Sequence, residues 1–285
     1  MEEEGPQSSF MFLVTCNEAF GYSHEQILDY VKNPDKLRKD AKTIFKEERE
    51  WFHKKYLPLP PTPKAENNDF KIFAPDELED FATDCLAYIT EQKGKILDFF
   101  GLDRFRKIEI NLFDNQEEFL KFIRTLRWQG AKIPSYCKGT FDNFMVNDSL
   151  SPMDASLNPN RYKSSVLHEC IHIIYNSITD KRIVWLDEGL AMNLSGERNN
   201  LKDEESFKNY MTQKIASINP PSNINQLSHG KMFVNEEYNG YELSYLAVRY
   251  LLETKSKDEI HEMIKNSDKA LEIGNEILPC ALNFF

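Results

Sequence analysis

Residues 168–172 of this chain read His-Glu-Cys-Ile-His, inside a segment that is otherwise apolar. The apolar neighbours are Val166, Leu167, Ile171, Ile173, Ile174 and Tyr175. They predict a buried helix, on which His168 and His172 stand one turn apart on the same face. Two histidines and a glutamate buried without partners would be costly to desolvate. The pattern therefore indicates a metal ion bound by two imidazoles.

A zinc site needs a third protein ligand, and Glu188 is the candidate. It lies in residues 185–191, Trp-Leu-Asp-Glu-Gly-Leu-Ala, with fifteen residues between it and His172. The polar stretch 176–182 predicts a loop between the first helix and a second one that begins near Trp185. The alternative is an ordinary first-turn glutamate, stabilised by the helix dipole. The apolar neighbours favour the ligand.

Glu169 is offset by about 100° around the helix from His168, which puts its carboxylate beside the metal rather than on it. Together, residues 168–172 and 185–191 resemble the zinc site of the gluzincin metallopeptidases, and in particular the compact peptidase MA-like proteins of bacteria. The resemblance extends from about Phe70 to about Lys265. It implies that zinc (Zn2+) is bound by His168, His172 and Glu188. It also implies that Glu169 is the catalytic base and that the substrate is a peptide or protein.

The chain departs from the thermolysin-like members in two respects. The gap between His172 and Glu188 is a few residues shorter, and Met192 stands where those members have an aspartate that orients a zinc histidine. The partner that orients the histidines is therefore open: Asp187, Asn193 or a backbone carbonyl could serve.

Peptide hydrolysis also requires a donor to the oxyanion. Relatives use a tyrosine or histidine from the helical half beyond the third ligand, and the Tyr-rich segment 238–245 resembles that region. Tyr241 is the first candidate, followed by Tyr238, Tyr245 and His229. Each of these residues could instead be a packing or surface residue.

Composition limits the partners and the compartment. The net charge of −11, from 35 basic and 46 acidic residues, argues against nucleic acid, which calls for a concentrated basic surface. The five cysteines form no C-x-x-C pair, and Cys170 should be a small buried thiol on the other side of the helix from His168. The start lacks the basic region of a signal peptide, and the apolar run 10–16 is too short to cross a bilayer. We expect a cytoplasmic protein that does not bind membranes.

A proline-rich run at residues 57–63 is the best domain boundary. It separates a helical extension, residues 1–65, from a catalytic domain, residues 66–285, with an α/β half (66–178) and a helical half (179–285). The extension could act as a regulatory cap over the cleft.

The predicted fold is α+β and zincin-like: a small mixed sheet packed on the active-site helix, followed by a mainly helical subdomain. Helices are expected at 76–100, 116–128, 206–218 and 241–254, with one or two more over 257–278, and a strand at 107–113. Residues 136–147 predict a hairpin that turns at Asp142-Asn143, either an edge strand lining the cleft or a plain core hairpin.

These expectations leave two classes of function. The first is a zinc peptidase, with an endopeptidase slightly favoured because the G-x-M-E-N type of motif that would anchor a substrate amine is missing. The second is a non-proteolytic binding or regulatory protein whose metal site is structural or vestigial. Glu169 argues against the second, since a purely structural site has no use for a base.

Overall fold

The computed structural model describes Glu25, Asp29 and residues 57–126, 139–142, 145–201, 203–215, 219–227, 233–234 and 237–285. All structural statements below refer to this part of the chain. The chain divides into two compact units, one formed by Met1–Pro58 with Glu117–Ser135 and the other by Leu59–Gln116 with Tyr136–Phe285.

A five-stranded mixed sheet runs through the larger unit. Its strands lie in the order β1 (Ala65–Glu66), β2 (Phe70–Phe73), β3 (Ile108–Phe113), β5 (Met145–Ser149) and β4 (Gly139–Asp142). Strands β2, β3 and β5 are parallel, while β1 and β4 run antiparallel at the two edges. The predicted hairpin is thus confirmed, and its first strand is the edge strand.

The α-helices are α1 (Glu79–Phe100), α2 (Gln116–Leu126), α3 (Pro152–Leu157), α4 (Pro159–Ile178), α5 (Val184–Leu194), α6 (Glu204–Tyr210), α7 (Gly240–Thr254), α8 (Lys257–Lys265), α9 (Ser267–Gly274) and α10 (Ile277–Phe284). Most of α2 belongs to the smaller unit, and the other helices belong to the larger one.

Helices α1 and α4 cover one face of the sheet. Helix α1 connects the parallel strands β2 and β3, and α4 contacts α1, β4 and β5. The core between these layers includes Ile72, Ile110 and Val146 from the strands, Ile89 from α1 and Ile171 from α4. This packing fixes α4, which carries the His-Glu-Cys-Ile-His sequence, directly on the sheet.

The helical half follows, with α5 packed closely on α7. The region 257–278, predicted as one or two helices, contains all or part of three, and side chains cap the starts of the first two. The Ser256 side chain accepts from Glu259 N, and Glu259 in turn accepts from Ser256 N in a capping box. The Asn266 side chain likewise accepts from Asp268 N and begins α9.

The other helix predictions are confirmed where they are described. The helix predicted at 76–100 opens with a short 3-10 turn, Asp76–Leu78, before α1. The one predicted at 206–218 is α6 followed by a single π turn, Met211–Ile215, and its last three residues lie outside the described part. No helix in the described part of the chain is long and apolar enough to cross a membrane.

The architecture is a mixture of helices and a small mixed sheet, compatible with the α+β prediction. The division into compact units falls at Pro58, inside the proline-rich run, and groups residues 117–135 with the first 58 residues. The boundary at residue 65 stays a prediction. Apart from Glu25, Asp29 and residues 57–65, the predicted extension and its role as a cap lie outside the described residues.

Candidate metal centre

Helix α4 carries both predicted histidines on one buried face. It begins at Pro159, whose fixed φ suits the first helical turn. His168 and His172 are 8% and 2% exposed, and their ring centroids lie 4.7 Å apart. Cys170 is fully buried in the core, as predicted, and burial raises the pKa of its thiol well above the usual range.

Glu188 is held opposite the histidines by the packing of α5 on α7. A Cβ added at Gly189 would lie 2.3 Å from the Ser244 carbonyl oxygen and 2.4 Å from Val248 Cγ2. Only a residue without a side chain lets the two helices approach so closely. Asn193 reinforces the contact, since its Nδ2 donates to the carbonyl of Gly189 at 2.7 Å and to that of Tyr245 at 3.1 Å.

One carboxylate oxygen of Glu188 faces both histidines. Its Oε2 lies 3.4 Å from His168 Nε2 and 3.5 Å from His172 Nε2, and ligand atoms from all three residues lie within 4.8 Å of one another. These separations are long for hydrogen bonds. Zinc bonds of roughly 2.0–2.2 Å in a tetrahedral site put ligand atoms about 3.3–3.6 Å apart, which matches both separations from Glu188 Oε2.

Asp187 orients the second histidine. Its Oδ1 lies 2.7 Å from His172 Nδ1, the ring nitrogen that does not face Glu188. A carboxylate in this position fixes the orientation of the imidazole and raises its basicity toward a metal. Among the sequence candidates, Asp187 has the expected role toward His172, while Asn193 bridges two helices instead.

Glu197 orients the first histidine, and the sequence reasoning missed it. Its Oε2 lies 3.0 Å from His168 Nδ1. The chain turns back to reach this position at Gly196, where φ is +88° and a Cβ would lie 3.0 Å from the Tyr88 hydroxyl. That hydroxyl donates to the carbonyl of Ser195 at 2.9 Å and holds the turn on α1.

Glu197, and not the residue at position 192, supplies the carboxylate behind His168. Met192 is buried instead in a second apolar cluster with Leu201, Phe207 and Tyr210. Gly196, two residues after the end of α5, is the signal that could have revealed Glu197, because a glycine there commonly reverses the chain at a helix end.

Glu169 leans against the edge strand. A Cβ built at Gly139, the first residue of β4, would lie 2.7 Å from Glu169 Oε1 and 3.2 Å from its Cδ. Asp148 of β5 pairs with Gly139 in the strand register and is buried. Burial raises the pKa of Glu169, and the two histidines offset part of this effect. Burial, reinforced by Glu169, also holds the pKa of Asp148 well above its ordinary range.

The charges around the histidines call for a cation. Asp187, Glu188 and Glu197 contribute three carboxylates, while Arg182 contributes one guanidinium, bonded to Asp187 and Glu188. Burial opposes charge on His168, yet Glu197 and Glu188 outweigh it and raise the pKa of its imidazole well above the usual range. Among these four side chains the carboxylates exceed the guanidinium by two charges, which protons on the histidines or one divalent cation would compensate.

The candidates for the oxyanion donor have different environments. Tyr241 lies in the first turn of α7, is 38% exposed, and its ring centroid lies 4.7 Å from that of Phe233. Tyr238 and Tyr245 are buried, and the Tyr245 hydroxyl accepts from Arg249 Nη1 at 3.2 Å. His229 lies outside the described residues. The choice of Tyr241 stays a prediction.

Comparison with protein-family models gives no match for this chain. Comparison with curated proteins gives none either. What the chain can do is therefore argued from the arrangement of its own side chains. That arrangement brings together His168, His172 and Glu188, with a carboxylate partner behind each histidine.

Proposed function

We propose that this chain is a zinc-dependent peptidase whose metal is bound by His168, His172 and Glu188. The observation that carries the proposal is the position of Glu188 Oε2, at 3.4 and 3.5 Å from the two Nε2 atoms. Two imidazoles and one carboxylate are a donor set typical of catalytic zinc, with the fourth position left for water or substrate.

Glu169 is the proposed general base. It neighbours His168 on α4, and its carboxylate lies against Gly139. The carboxylates bonded to the two histidines are instead those of Glu197 and Asp187. Bound zinc would supply a lowered pKa for a water molecule and would polarise the substrate carbonyl. Glu169 takes the proton from the attacking water and delivers it to the leaving amine.

A peptide is the proposed substrate because of the edge strand. Among the described strands, β4 pairs only with β5, so it forms an edge of the sheet. It begins at Gly139, the residue against which the Glu169 carboxylate lies. An extended peptide can pair with such an edge through main-chain hydrogen bonds. This pairing would bring the scissile bond beside the proposed base.

Tyr241 is the proposed oxyanion donor. It lies in the first turn of α7, the helix that packs on α5, and the residue is 38% exposed. Replacing Tyr241 by Phe should lower kcat far more than it changes KM, because the donor acts on charge that develops in the transition state.

The test is zinc analysis combined with a peptide-library cleavage assay. We expect stoichiometric zinc in protein purified without chelators, and cleavage that is lost in Glu169→Gln while zinc is retained. A protein that binds no zinc would refute the metal site. A zinc-loaded protein that cleaves nothing in the library would favour the non-proteolytic alternative. A Glu169→Gln variant that still cleaves would refute the role of Glu169 as the base.

A further inference from the structure

We propose that Arg182 is a positioning residue that makes Glu188 bind the metal through one oxygen only. The inference rests on the proposed metal centre and adds to it a residue that none of the sequence motifs contains. It concerns how the fourth position of the site is kept available, which the three ligands by themselves do not determine.

Arg182 makes the two carboxylate oxygens of Glu188 different from each other. Its Nη2 donates to Glu188 Oε1 at 3.0 Å, while Oε2 of the same carboxylate faces both histidines. The guanidinium is therefore bonded to the oxygen that would otherwise turn toward the metal. A carboxylate held in this way offers one ligand atom.

The same guanidinium also contacts the partner of His172. Arg182 Nε donates to Asp187 Oδ2, and Asp187 Oδ1 lies 2.7 Å from His172 Nδ1. A continuous chain of contacts therefore runs from His172 through Asp187 and Arg182 to Glu188. It links two of the three ligands from behind, so neither can rotate without breaking a charge-assisted hydrogen bond.

The backbone holds Arg182 in this position. The preceding loop is pinned by Asp180, whose Oδ1 accepts from Lys181 N at 2.8 Å and from Ser267 N at 3.0 Å. Thr179 Oγ1 donates to the carbonyl of Lys181 at 2.8 Å. The shortened loop between α4 and α5 thus delivers the guanidinium to the site from a defined place.

One-oxygen binding has a chemical consequence. If both oxygens of Glu188 bound the metal beside a water molecule, the coordination number would rise to five, and the second oxygen would crowd the position that the substrate carbonyl needs. The planar guanidinium can donate to two carboxylates at once, whereas a lysine ammonium is a single compact charge. Two-point contact, rather than positive charge alone, is therefore the property required at this position.

The experiment compares Arg182→Gln and Arg182→Lys with wild type, and uses Lys181→Gln as the control. Lys181 is the exposed neighbour, so its replacement removes the same charge without touching the site. Zinc affinity is measured by competition with a chelator. Cobalt is substituted for zinc, because its visible bands weaken when the coordination number rises above four.

We expect Arg182→Gln to bind zinc about 10- to 100-fold more weakly, as is usual when a partner behind a metal ligand is removed. Its cobalt bands should weaken as Glu188 Oε1 joins the metal. Arg182→Lys should change both readouts in the same direction, and it carries the test if the Gln variant does not fold. Lys181→Gln should match wild type.

The inference is overturned if a folded Arg182 variant keeps the wild-type cobalt bands and binds zinc within about twofold of the wild-type affinity. That result would leave the peptidase proposal intact. Failure of the wild-type protein to bind zinc or cobalt would instead refute the metal centre itself. The two failures are therefore distinguishable.

Discussion

Glu197 Oε2 lies 3.0 Å from Nδ1 of His168, while Nε2 of the same ring faces Glu188. The imidazole is thus held from behind by a residue that lies beyond the end of α5. A histidine with its outer nitrogen bonded to a carboxylate presents its other nitrogen in a fixed direction and with increased basicity. The first prediction concerns this contact.

Replacing Glu197 by Gln should weaken zinc binding by about 10- to 100-fold, because the amide no longer supplies a negative charge behind His168. Chelator competition measures the effect. Glu205, which is exposed at the start of α6, provides the control, and Glu205→Gln should bind zinc like wild type. Equal affinities in the two variants would contradict the role of Glu197.

Replacing Gly189 by Ala should destabilise the fold by about 1–3 kcal/mol, since the added methyl group overpacks the contact between α5 and α7. Chemical denaturation measures the loss. Gly94 is the matched control because a Cβ there meets nothing within 4 Å. In that exposed helix interior, Gly94→Ala should stabilise the protein by roughly 0.5–1 kcal/mol. A Gly189→Ala variant as stable as wild type would show that the helices are not closely packed.

Replacing Gly139 by Ala should displace the Glu169 carboxylate, which is the flexible end of the clash at 2.7 Å. Zinc should remain bound, because Glu169 is not a proposed ligand. A base misplaced by about 1 Å can cost about 100-fold in rate, so kcat should fall by that order. Steady-state kinetics with zinc analysis checks both points, and full activity would refute the contact.

Protons and zinc should compete for the histidines. Burial lowers the pKa of His172, but Asp187 and Glu188 outweigh it and raise the value to about 9. Charged His172 therefore stabilises the metal-free fold fully below the unfolded pKa of 6.5, and this contribution is lost as the pH rises through about 9. Zinc requires the neutral imidazole, so its affinity should rise over the same interval.

Denaturation of the metal-free protein at about pH 6 and about pH 10, beside zinc titrations, measures the two opposite slopes. Calorimetry in buffers of different ionisation enthalpy should detect protons released on zinc binding near neutral pH. Zinc affinity that does not change with pH would contradict the competition.

The sequence predicts the parts of the site that depend on local periodicity. His168 and His172 share a face because they are four residues apart on one helix. Glu188 is predicted as the third ligand because its neighbours in the first turn of the next helix are apolar. The polar stretch 176–182 predicts a loop, whereas α4 continues to Ile178. Asn176 Nδ2 donates to the carbonyl of His172 at 2.7 Å, and Ser177 Oγ donates to that of Ile174 at 2.6 Å. Polar residues that indicate a loop can thus bond back to their own helix.

The residues that sequence reasoning missed act through tertiary placement. Glu197 reaches His168 only because Gly196 adopts a positive φ. Arg182 reaches Glu188 and Asp187 from a pinned loop, and Gly139 meets Glu169 across the hairpin register. None of these contacts can be predicted from the spacing of residues along the chain. The same reason leaves Tyr241 undecided among the tyrosines.

The contact between Glu169 and Gly139 would also couple recognition to reactivity. The base rests on the backbone of the strand along which a peptide would lie, so any movement of β4 becomes a movement of the carboxylate. A ligand that pairs with only part of the edge would leave the proton acceptor misaligned. Such a site would discriminate between substrates by how completely they pair with β4, and not by a side-chain pocket alone.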